Sequence, residues 1–160
     1  MRAVPRKLIA LPAAVVLLAS LSPRAVEAQP LPPQVQTDID GDIRECKPQK
    51  AMFGDRFITR KDVNGDGIQD YILDYAAFKC GDNAGFYCGS AGCVTTVYAS
   101  ISRGGYVKVL NENVRAVRFK AVGGTPAMIL DLHGSSCGLS GAAPCTKTLY
   151  WNGAKFVASR

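Results

Sequence analysis

Asp62, Asn64 and Asp66 place acidic or amide side chains at alternate positions of the stretch DVNGDGIQD, with Gly67 next and Asp70 at its end. Alternate residues of a tight loop can turn their side chains inward together, and Ca²⁺ takes about six to eight oxygens at close range. Gly67 permits the sharp turn. Ile68 offers its backbone carbonyl while its side chain is expected to enter the core, and Asp70 completes the ligand set directly or through water. Three carboxylates so close together repel one another unless a counter-ion joins them. The competing reading is a polar turn in which Asn and Asp side chains bond their own backbone. Mg²⁺ fits less well, because it demands a stiffer octahedron and keeps its waters.

The loop is not an EF-hand, since Leu73 stands where that motif has a bidentate glutamate. DVNGDGIQDYIL instead resembles the calcium loop of the FG-GAP and VCBS repeat families, DxNxDGxxD, which links two strands of a propeller blade. That resemblance implies calcium ligands at Asp62, Asn64, Asp66 and Asp70 and at the carbonyl of Ile68. A propeller needs about four to eight blades, whereas this chain carries one good loop, so the resemblance extends to the site and not to the architecture. An earlier echo, DIDGDI from Asp38 to Ile43, lacks the second glycine and has Cys46 where the last aspartate belongs. It is read as a cap or turn.

A second candidate lies in LDLHGSSCG, which holds the single histidine, His133, and a GxSxG string centred on Ser136. The alternative function is therefore a small serine hydrolase using Ser136 and His133. That motif works as a strand, a sharp elbow and a helix, with an acid and then a histidine following the serine. LSGAAPC does not read as a helix and no histidine follows Ser136, so no catalytic residue is assigned. The plainer reading is a glycine-rich disulfide loop with a structural histidine.

The elements that must position these groups are constrained first by six cysteines, all outside the N-terminal leader. An even count in an exported chain points to a disulfide framework. Local closure across glycine-rich loops favours Cys88 with Cys93 and Cys137 with Cys145, leaving Cys46 for Cys80. Zinc is disfavoured, because there is no CxxC pair and only one histidine.

FGDRFITR, YILDYAAF, TTVYASIS, YVKVL, VRAVRFKAV, AMILDL, KTLYW and KFVAS are short runs rich in β-branched and aromatic residues, punctuated by Gly, Asn or Pro. They predict a mostly β, compact antiparallel sheet domain with hairpins, stapled by disulfides. Arg103-Gly104-Gly105 and Asn152-Gly153 are its hairpin signals, the latter read as a type I′ turn. One short helix is expected within DIDGDIRECKPQK, capped by an aspartate.

Arg2, Arg6 and Lys7 precede the apolar run LIALPAAVVLLAS, and Val26 and Ala28 provide small residues for cleavage. Residues 1–28 are therefore expected to be a signal peptide and 29–160 a single domain, with 29–36 a flexible Pro-rich leader. No stable membrane insertion is expected after cleavage. Residues 1–28 hold four basic residues and one acid, so the mature chain keeps only half of the formal +6 charge. Such an excess does not argue for nucleic acid. Arg118 and Lys120 should share one solvated strand face.

The signal segment, CGSAGC, LHGSSCGLSGAAPC and YWNGAKF together resemble a group of small exported proteins of Gram-negative bacteria. This resemblance implies a periplasmic home, where composition alone allows periplasmic or secreted. The combined expectation is a calcium-binding, disulfide-stabilised domain that binds an envelope protein or glycan or serves a structural role there.

Overall fold

A computed structural model describes residues 30–158. The expected signal peptide, residues 1–28, lies outside the described residues. Helix α1 spans Pro33–Glu45. Proline suits a helix start, because its fixed φ is already helical and its missing N–H needs no partner there. The helix thus begins inside the run expected as a flexible leader, and it absorbs Asp38–Ile43, which was expected as a cap or turn. Nor does an aspartate cap it, for Pro32 occupies the N-cap position without a side-chain bond.

The strands are β1 Ala51–Phe53, β2 Ile58–Lys61, β3 Asp70–Asp74, β4 Phe78–Cys80, β5 Cys88–Gly89, β6 Gly92–Ser100, β7 Tyr106–Val114, β8 Ala116–Val122, β9 Thr125–Leu132, β10 Cys145–Trp151 and β11 Phe156–Ala158. Their pairings are antiparallel. In the first large sheet β2, β3 and β6 run side by side, and β5 and β7 also pair with β6. The second sheet has the order β11, β10, β9, β8, while β1 and β4 form a small ribbon.

Burial explains why YILDY reads as a nearly continuous apolar run. Its strand β3 is covered on both faces, a pattern that removes the usual alternation with polar residues. On one face Tyr71, Leu73 and Tyr98 pack with Val35 and Ile39 of α1. On the other, Ile72, Val97, Leu110 and Val114 meet Met128, Leu130, Leu132 and Phe156 of the second sheet. The result is three layers, a helix and two sheets, around two apolar clusters.

Helix α1 is also held by polar contacts along one side. The Tyr98 hydroxyl donates to Asp38, which also pairs with Lys108, and the Tyr75 hydroxyl donates to Asp42 Oδ2 at 2.6 Å. β7 turns into β8 at Arg115, whose N–H donates to the Asp131 carbonyl at 2.8 Å. Farther along β8 the Lys61 ammonium lies 5.8 Å from the Phe119 ring centre. β8 therefore passes across the first sheet from its β7 side toward β2.

Turn chemistry only partly follows expectation. Gly123 and Gly124 connect β8 to β9 with φ of 58° and 82°, both in the left-handed region that a two-residue type I′ hairpin requires. The Asn152-Gly153 turn is not of that type. Its ladder closes at Trp151 and Phe156, and no residue other than glycine has positive φ among the described residues. The Asn152 side chain instead accepts the N–H groups of Ala154 and Lys155 at 3.0 and 2.9 Å, holding a longer turn from within.

The disulfides are Cys46–Cys80, Cys88–Cys93 and Cys137–Cys145, as local closure predicts. Such a framework belongs to an oxidising, extracytoplasmic compartment. Among the described residues, no helix is long and apolar enough to cross a membrane.

Candidate metal centre

The loop between β2 and β3 is built around its own carboxylates. Asp62 accepts the N–H of Gly65 on Oδ1 at 2.6 Å and that of Gly67 on Oδ2 at 2.9 Å. Gly65 has φ of 82°, and a Cβ there would come within 3.0 Å of the Pro126 ring, so the loop rests against the start of β9. Asp66 Oδ1 accepts the Ile68 N–H at 2.8 Å. Asn64 is nearly buried and uses Oδ1 to accept the Asp66 N–H at 3.1 Å.

Asp70 opens β3 and is fully buried. Its Oδ2 accepts the Val63 N–H at 2.7 Å, and its Oδ1 accepts the Ser100 N–H at the same distance. The Ser100 hydroxyl stands 2.9 Å from Asp70 Oδ1 and 2.6 Å from Asp66 Oδ2. Asn64 Nδ2 donates to the Ser100 carbonyl at 2.9 Å. The fold thus gathers Asn64, Asp66 and Asp70 around Ser100 at the end of β6, while Asp62 faces the loop amides.

A serine hydroxyl has one proton to donate. It donates to one of its two carboxylate contacts, and each oxygen has a further neutral donor, Asn64 Nδ2 at 3.2 Å on Asp66 Oδ2 and the Ser100 N–H on Asp70 Oδ1. The Asp66 carboxyl is held below its ordinary range: burial pushes it up, and hydrogen bonds from Ser100, the Ile68 amide and Asn64 outweigh that effect. The remaining donor chemistry is entirely hard oxygen, the kind Ca²⁺ takes. Among the described residues no trio of His, Cys, Asp or Glu is gathered closely enough to hold a metal by itself. An amide oxygen, a backbone carbonyl and water would have to complete any coordination shell.

One expectation for the loop fails. Ile68 is 49% exposed, so its side chain does not enter the core. Val63 takes that place instead, packed into the cluster between the sheets. The Ile68 amide is tied to Asp66 on the solvent side, which turns its side chain outward. Ser100 went unrecognised in the sequence because a serine at a strand end has no signature until β6 is laid beside β3.

At the second candidate, His133 Nδ1 lies 2.8 Å from Ser135 Oγ, and the Ser136 N–H donates to the His133 carbonyl at 2.9 Å. The histidine therefore pairs with Ser135, not Ser136, and its side chain caps the short turn Gly134–Cys137. The nearby carboxylate of Asp131 is engaged by Arg118 and Thr146. The turn that holds His133 and Ser136 is stapled by the Cys137–Cys145 disulfide.

Against family models, curated proteins and solved structures, the chain finds no match.

Proposed function

We propose that this chain is an exported, disulfide-stapled β domain, periplasmic or secreted, that binds Ca²⁺ in the 62–70 loop and acts as a binding or structural protein of the cell envelope. The observation that carries the reading is the convergence of Asp66 and Asp70 on one Ser100 hydroxyl, where both carboxylates are met only by neutral donors. A divalent cation in the loop supplies the positive charge that this arrangement lacks. Asp62, Asn64 and Asp66 would hold it from the loop, with the Ile68 carbonyl, and Asp70 would support it directly or through water. The amides bonded to Asp62 and Asp66 already fix those side chains, which lowers the ordering cost of binding. The partner class is an envelope protein or glycan.

An ion that binds only the folded state stabilises it by mass action, by about 2.7 kcal/mol at a hundred times its dissociation constant. Scanning calorimetry of the oxidised protein should show a higher melting temperature in millimolar calcium, reversal by chelator, and no calcium effect in Asp66→Ala. An unmoved wild-type melting curve together with no heat of calcium binding would reduce the loop to a polar turn.

A further inference from the structure

We propose that the open edge of β8 docks an extended segment of a partner protein whose side chains alternate between apolar and acidic. This narrows the partner class of the binding reading and does not depend on the loop cation. β8 pairs with β9 along one edge and ends the second sheet, so its other edge offers the backbone groups of a seven-residue strand. Such an edge is a template for another strand.

The space beside that edge suits a strand. A groove of about 480 Å³ runs there, with Thr59, Ile72 and Thr95 of the first sheet among its floor and Val117 and Phe119 of β8 on its wall. A strand added to β8 would extend the second sheet over this part of the first. Successive side chains of a strand point to opposite faces. One set would enter the groove and meet Ile72, Val117 and Phe119. Asp74 also lines the groove, which disfavours inward-pointing acids.

The other set would lie on the outer face. Arg118 and Lys120 stand opposite Ile129 and Ala127 in the β8–β9 register, are exposed, and with Lys61 line a second concavity of about 740 Å³; Arg118 is already paired with Asp131, so Lys120 and Lys61 carry the charge offered to a partner there. Acidic side chains complement that face. A second copy of this chain is the poorer occupant, because antiparallel edge pairing would bring Arg118 and Lys120 against their own counterparts, and like charges across a pair are unfavourable.

The probe is a fluorescein-labelled heptapeptide of alternating glutamate and valine, compared with a scrambled peptide of the same composition and with an alternating lysine–valine peptide. Anisotropy should show preferential binding of the alternating acidic peptide, and hydrogen exchange should slow at β8 amides when it binds. Lys120→Glu, at an exposed position, should weaken that binding about three- to tenfold and strengthen binding of the lysine peptide. Equal binding of the scramble, or binding without protection of β8, would mean charge attraction alone and overturn the proposal. So would absence of binding, or self-association through β8 seen by sedimentation and abolished by Lys120→Glu.

Discussion

Asp70 and Ser100, thirty residues apart, meet where β3 begins and β6 ends, and the serine presents both its amide and its hydroxyl to the same carboxylate oxygen. With the Val63 amide on the other oxygen, Asp70 is a buried cross-link between the loop and the first sheet. Its structural role precedes any role toward an ion.

Asp70→Ala should therefore destabilise the protein even in excess chelator. It strands the buried amides of Val63 and Ser100, at a combined cost of about 3–5 kcal/mol. Urea denaturation with EDTA present measures this. A loss below about 1 kcal/mol would contradict the cross-link. Ser100→Ala should cost less in chelator, since the serine amide bond to Asp70 survives.

Removal of calcium should act locally. Hydrogen exchange in chelator should accelerate first at the β2–β3 hairpin, which flanks the loop, and later or not at all at the β10–β11 hairpin. Uniform acceleration would indicate global rather than loop-centred stabilisation.

Acid should act on stability in opposite senses through two carboxylates. Burial raises the Asp42 carboxyl above its ordinary 3.8; the Tyr75 and Tyr87 hydroxyls oppose that rise, while Glu45 and Asp38 add to it. The folded state thus holds the Asp42 proton more tightly than the unfolded one. Its stabilising contribution is fully present below 3.8 and is lost as pH rises through the folded value. Asp66 is depressed, so its contribution is present above 3.8 and is lost as pH falls through its lower folded value. Carbon-13 carboxyl titration should give Asp42 a midpoint above 3.8 and Asp66 one below it, in calcium-free buffer. The reverse order would refute both environments.

Among the disulfides, Cys46–Cys80 should contribute most. It closes a separation of 34 residues, against 5 and 8 for the others, and both of its cysteines lie in the cluster under α1. Replacing the pair with alanines should cost about 2–4 kcal/mol, read from denaturant midpoints. Non-reducing mass spectrometry of the wild type should find no free thiol, and two or more would overturn the framework.

The β class, the antiparallel connections and the cysteine pairs were legible in the chain itself. Short apolar runs separated by Gly, Asn and Pro have few alternatives to hairpins, and CGSAGC and CGLSGAAPC can close on themselves. The spacing of Asp62, Asn64 and Asp66 reads first as a calcium loop and, as the competing reading, as a turn bonded to its own backbone; the local bonds of that turn are present, because they span only a few residues. Periodicity assigns a residue to a face but does not say which strand lies beside it. The meeting of Asp70 with Ser100, the tyrosines that seat Asp38 and Asp42, the outward turn of Ile68 and the groove beside β8 each depend on strand order and layer packing. Those are decided by which apolar faces bury one another, a property of the assembled sheets that no local stretch carries.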